Sequence, residues 1–141
     1  MRFPEDLRSG LVTSGPEETE DLGKQIAQAL PPDCALGLVG DLGCGKTTFV
    51  RGLARGLGIR SSVTSPTYTL YNMYEGKRQL LHLDAYRLGS EEAAEALLLE
   101  EFLASPFLLA VEWADRIPQF LCSWPGWWLR LSIEKPGHHQ I

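Results

Sequence analysis

The sequence predicts an α/β fold of three layers, in which helices cover both faces of a central, mostly parallel (mixed) sheet. Two observations carry that prediction. The first is the stretch Gly40-Asp41-Leu42-Gly43-Cys44-Gly45-Lys46-Thr47-Thr48, which fits G-x-x-x-x-G-K-[ST], the phosphate-binding P-loop. The second is its surroundings: an apolar run precedes it, helical spacing follows it, and strand-like and helix-like segments then alternate. Together they predict a P-loop NTPase-like arrangement. At 141 residues the chain supplies one core, so one P-loop ATPase domain is expected over residues 1–141.

Taken in order, residues 7–12 suggest an edge strand. Thr13-Ser14-Gly15-Pro16 reads as a helix start, with Thr13 and Ser14 as caps and Pro16 at an early helical position. Glu17, Glu18 and Glu20 favour the first turn through the helix dipole, while Leu22, Ile26 and Leu30 mark the buried face. Pro31-Pro32 ends that helix. Residues 34–39 form a continuous apolar run, the signature of a strand buried on both faces. Phe49, Val50, Leu53 and Leu57 give the next helix its apolar face, and Gly58 stands where it should stop.

A polar loop from Arg60 becomes β-rich over 68–74, turns at Glu75-Gly76-Lys77 and returns over 79–84. Ser90 is a cap for a third helix with Ala94, Leu97, Leu98 and Phe102 on one face, and Pro106 lies beyond its end. Residues 107–112 form another apolar strand. A loop over 113–118 leads into a short helix ending near Phe120-Leu121. Trp124-Pro125-Gly126 turns into a last strand, 127–133, with Trp127, Leu129, Leu131 and Ile133 on one face. The polar tail 134–141 is expected to be mobile.

The loop's residue types follow from its chemistry. Gly40, Gly43 and Gly45 permit backbone angles that turn successive N–H groups toward phosphate oxygens, and the next helix adds its positive dipole end. Lys46 reaches the β- and γ-phosphates, Thr47 is the expected magnesium ligand, and Thr48 is a weaker phosphate contact. Two apolar strands end in an acid, at Asp84 and at Glu112, where a carboxylate approaches magnesium or the attacking water. His82 alternates with Leu81 and Leu83, which favours packing, or support of a site residue, over direct catalysis. Cys44 sits where a thiol's pKa is lowered, near a helix N-terminus and Lys46.

Composition excludes several classes. A net charge of −5 gives no general electrostatic reason to bind DNA or RNA. The charged N-terminus lacks the apolar core of a signal peptide, and no apolar run approaches the roughly 18 residues of a membrane span. Three widely spaced cysteines suggest neither a disulfide framework nor a zinc site, so a cytoplasmic protein is expected.

Gly-Asp-Leu-Gly-Cys-Gly-Lys-Thr-Thr-Phe at 40–49, Thr-Ser-Pro-Thr-Tyr-Thr-Leu at 64–70, His-Leu-Asp-Ala-Tyr-Arg-Leu at 82–88 and Glu112-Trp113 occur in that order. The combination resembles the TsaE family, small bacterial ATPases of tRNA threonylcarbamoyladenosine biosynthesis. The likeness covers roughly residues 13–133. It implies that Gly40, Asp41, Leu42, Gly43, Cys44, Gly45, Lys46, Thr47 and Thr48 hold ATP or ADP, and that Thr47 and Glu112 hold Mg2+. Asp84 is implied as the second acid, needed for hydrolysis. Ser65, Pro66 and Thr67 are implied as a switch-like loop with Thr67 closest to the chemistry, and Trp113 as a wall of the nucleotide pocket. Tyr86 and Arg87 are implied as supports of the site or of a partner surface. In the family the ATPase works with a TsaB–TsaD pair, so tRNA contact is indirect. Cys44 departs from the Ala usual at that loop position, and Ala114 from the Pro often found after Glu-Trp.

The preferred reading is a slow Mg-dependent ATP hydrolase in which Lys46 and magnesium neutralise developing charge while Asp84 or Glu112 positions water. Slow turnover is expected because no obvious arginine finger lies in the chain; Arg51, Arg87 and Arg116 are candidates. The first alternative is a nucleotide-gated assembly module whose hydrolysis is incidental. A small P-loop kinase is disfavoured, since no arginine-rich lid is evident. GTP is disfavoured because Asn-Lys-x-Asp is absent, the only asparagine being Asn72 followed by Met73.

Overall fold

The computed structural model describes residues 12–13, 15–40, 45–60, 63, 71–88, 90–135 and 138–140. Among the described residues there are seven strands: β1 (Val12–Thr13), β2 (Cys34–Gly40), β3 (Tyr71–Tyr74), β4 (Gln79–Asp84), β5 (Phe107–Glu112), β6 (Gly126–Lys135) and β7 (His138–Gln140). They form one sheet in the order β1-β7-β6-β2-β5-β4-β3. The inner strands β6, β2, β5 and β4 are mutually parallel, whereas β3 and β7 add on antiparallel. The mixed, mostly parallel sheet expected from the sequence is thus present.

Alternation along the strands builds two cores. On one face Leu36, Leu38, Leu80, Leu108 and Ala110 meet Leu22 and Ile26 of α1 (Pro16–Ala29) and Phe49, Val50 and Leu53 of α2 (Lys46–Gly56). On the other face Ala35, Leu81, Leu83, Leu109 and Val111 meet Ala94 of α3 (Glu91–Ala96) and Phe120 and Leu121 of α4 (Pro118–Leu121). Each fully buried leucine contributes on the order of 1.5–3 kcal/mol by leaving water. Coverage on both sides explains why β2 reads as an unbroken apolar run. Among the described residues, no helix is long and apolar enough to cross a membrane.

Three expectations are corrected. The first concerns the start of α1. Its N-cap is Gly15, and no side chain caps it; Thr13 instead pairs with His139 through β1 and β7. The Thr19 hydroxyl donates to the Gly15 carbonyl, one turn back. Ser14 lies outside the described residues, as do residues 1–11.

The second concerns the third helix, which ends early. Ser90 Oγ accepts from the Ala93 N–H as expected, but Leu98 adopts φ 52° and a separate 3₁₀ turn follows at Leu99–Glu101. The left-handed residue rotates the chain, so Leu99 enters the core while Leu98 and Phe102 are 56% and 46% exposed.

The third concerns the tail. β6 runs on to Lys135, and β7 pairs with both β6 and β1 within the segment expected to be a mobile tail. Main-chain pairing there leaves no apolar alternation to read. Gly58 does mark the stop of α2, with φ 75°.

The topology brings three strand ends together. β2, β5 and β4 run parallel, so their C-terminal ends, Gly40, Glu112 and Asp84, share one edge of the sheet.

Candidate functional site

Local backbone and side-chain demands assemble this edge. Gly40 closes β2 with φ 150° and Gly45 caps α2 with φ 96°, conformations that a Cβ makes costly. Lys46, the first residue of α2, is 4% exposed. Its ammonium donates to the Gly40 carbonyl at 2.7 Å and lies 3.9 Å from the centroid of the Trp113 ring. One residue on, the Thr47 hydroxyl points at Glu112, with Oγ1 3.4 Å from Oε2.

Alternation explains why Glu112 faces α2. Leu108 and Ala110 of β5 lie in the α1–α2 core, and Glu112 continues that face. On β4 the same rule gives Leu80, His82 and Asp84. Register then pairs His82 with Ala110 and Asp84 with Glu112. His82 Nε2 is 2.5 Å from Glu112 Oε2, a short contact wholly removed from solvent at the imidazole. Asp84 Oδ1 accepts from the Tyr86 N–H and so caps the 3₁₀ turn Ala85–Arg87.

The donor set suits a magnesium–phosphate group. Mg2+ holds oxygens octahedrally at about 2.0–2.1 Å, which spaces neighbouring ligand oxygens about 3 Å apart. The 3.4 Å between Thr47 Oγ1 and Glu112 Oε2 is close to that spacing. Among the described residues, no three His, Cys, Asp or Glu side chains form a ready-made metal cage.

Of the residues expected at the site, Gly40, Gly45, Lys46, Thr47, Glu112 and Trp113 converge. Asp84 lies beside Glu112 on the neighbouring strand. Thr48 is half-buried one step into α2. Asp41, Leu42, Gly43, Cys44, Ser65, Pro66 and Thr67 lie outside the described residues. Two of the arginine candidates are otherwise engaged: Arg51 Nε donates to the Val63 carbonyl, and the Arg116 guanidinium lies 4.5 Å over the Tyr86 ring.

Residue-by-residue reading missed a stack. Trp113 takes a left-handed backbone (φ 59°), and its ring is 5.1 Å from that of Tyr86. Lys46, Trp113, Tyr86 and Arg116 therefore form a continuous cation–aromatic series from the start of α2 to the surface. Away from the site, burial pushes the Cys34 thiol up, against the opposing pull of the Arg78 guanidinium.

Comparison with known proteins identifies the family. The family model described as "Threonylcarbamoyl adenosine biosynthesis protein TsaE" matches residues 13–140. The tRNA threonylcarbamoyladenosine biosynthesis protein TsaE of Synechocystis is 47% identical over 105 residues, 72% of this chain and 67% of the relative. The protein of the same name from Bacillus subtilis is 41% identical over 126 residues, 89% of this chain and 77% of the relative. The crystal structure of Bacillus subtilis YdiB superposes with a TM-score of 0.73 at 33% identity, covering 93% of this chain and 80% of that one. With a match over nearly its whole length and a shared fold, the chain belongs to the TsaE family.

Proposed function

We propose that this chain binds ATP and, with Mg2+, hydrolyses it slowly as the ATPase component of tRNA N6-threonylcarbamoyladenosine biosynthesis, acting with a TsaB–TsaD pair in the cytoplasm. One observation carries the nucleotide reading. At the start of α2 a threonine meets a buried glutamate from the end of β5, and the lysine beside it donates to the carbonyl of Gly40, one of two glycines of positive φ that precede it. Family membership supports the pathway, and an acidic chain supports contact with tRNA through protein partners rather than directly.

In this reading the loop amides and Lys46 bind the phosphates, with Gly43 and Gly45 letting the backbone close around them. Thr47 and Glu112 hold Mg2+, and Asp84 is the second acid, beside them. Magnesium, when bound, neutralises the negative charge that develops on the phosphoryl oxygens. Glu112 or Asp84 orients the attacking water, with Thr67 near the transferred group. With Arg51 held by the Val63 carbonyl and Arg116 by the Tyr86 ring, Arg87 is the remaining candidate for an arginine finger, and isolated turnover is expected to be slow.

A reconstituted modification assay with TsaB–TsaD tests the proposal. ATP is expected to sustain repeated cycles, while ADP and a non-hydrolysable analogue are not. Repeated cycles with the analogue would mean that nucleotide occupancy gates assembly and hydrolysis is incidental.

A further inference from the structure

His82 is a buried titratable residue with no part in the mechanism above. It is 0% exposed on a central strand whose neighbours Leu80, Leu81 and Leu83 are equally buried. Parallel strands covered on both faces ordinarily carry apolar residues at such positions. An imidazole there loses water from both ring nitrogens, and Nδ1 is buried without a hydrogen-bond partner among the described residues. The other is 2.5 Å from Glu112 Oε2. Packing alone is served better by leucine. The polar contact is what the position retains.

We propose that His82 is a positioning residue: its Nε2–H fixes the Glu112 carboxylate in the rotamer that, with Thr47, receives the divalent cation. The inference rests on the magnesium-nucleotide reading of this site. In this proposal Nε2 carries the proton, since a bare Nε2 would set a lone pair against an ionised carboxylate, and Nδ1 has no acceptor among the described residues. Oε2 then accepts from both His82 and Thr47, a β4 side chain and an α2 side chain, which pins the end of β5 to the phosphate-loop helix. Partners that orient a ligating carboxylate typically change metal affinity about 10–100-fold when lost.

Three variants test this in the full chain: His82→Gln, which keeps an N–H near the Nε2 position, His82→Asn, which draws it back, and His82→Met, which fills the space without a donor. The readout is the magnesium concentration giving half-maximal nucleotide binding, alongside ADP affinity in EDTA and thermal melting. Met and Asn are expected to raise half-saturating magnesium about tenfold or more, with metal-free ADP affinity little changed and Gln close to wild type. In a Glu112→Gln background the His82 substitutions should add nothing further. An unchanged magnesium requirement in a folded Met variant overturns the proposal, as does equal loss in the presence and absence of Glu112. Should the Met variant not fold, wild-type behaviour from both Gln and Asn overturns it equally. Absence of any magnesium dependence in the wild type would instead remove the nucleotide-site reading on which it rests.

Discussion

Thr47 Oγ1 and Glu112 Oε2 stand 3.4 Å apart although 65 residues separate them in the chain. Parallel pairing of β2 with β5 brings this about, because α2 follows one strand and Glu112 ends the other. Removing the carboxylate should therefore act on the metal before the nucleotide. Glu112→Ala is predicted to raise the magnesium requirement for nucleotide binding about tenfold or more, with a much smaller loss of metal-free ADP affinity. It also leaves His82 without its Nε2 partner, a cost of about 1–3 kcal/mol visible in denaturant melts. An unchanged magnesium titration would remove Glu112 from the site.

The Lys46 ammonium rests 3.9 Å above the Trp113 ring. If Lys46 binds phosphate as proposed, that ammonium is drawn away, so intrinsic fluorescence should change on adding Mg-ADP. Trp113→Phe is predicted to abolish most of that change while the other three tryptophans remain. A full signal from the variant would mean that Lys46 and Trp113 do not separate on binding.

Helix α2 is set by contact with α1 as well as by the sheet. A Cβ added at Gly52 would lie 2.0 Å from the Glu20 carbonyl oxygen, a backbone atom that has little room to yield. Alanine is the better helix former by about 1 kcal/mol. Gly52→Ala should nevertheless destabilise by about 1–3 kcal/mol, since overpacking outweighs propensity. Nucleotide affinity should fall with it, because α2 carries Lys46 and Thr47. A stability gain in thermal melts would show that the helices separate without penalty.

Arg78 works at the opposite end of the strands. Its guanidinium donates to the carbonyls of Leu30, Pro31 and Phe107, tying the exit of α1 to the starts of β4 and β5. Arg78→Met is predicted to cost about 3 kcal/mol, on the order of one or two charge-assisted bonds, in urea unfolding. Nucleotide affinity measured well below the unfolding midpoint should stay the same. A selective loss of affinity would contradict the separation of scaffold from site.

Sequence reading worked where chemistry or burial imposes a pattern. The β2 run, the α2 face and the strand ends at Asp84 and Glu112 were legible because buried parallel strands are continuously apolar and close on a polar residue. His82 stood out as a polar residue in an apolar strand. Its partner did not, because the contact depends on the register that sets His82 opposite Ala110 and so brings it near Glu112. The break at Leu98 was hidden, since apolar spacing continues across it. The strand at 138–140 was hidden for the opposite reason: main-chain pairing needs no apolar side chains.

Calorimetric titration of the folded protein with Mg-ADP and Mg-ATP tests the central claim most directly. Measurable heat at millimolar nucleotide or below, corresponding to about −4 kcal/mol or tighter, is predicted for the wild type and none for Lys46→Ala. Absence of heat from well-folded wild-type protein at millimolar nucleotide would contradict the account.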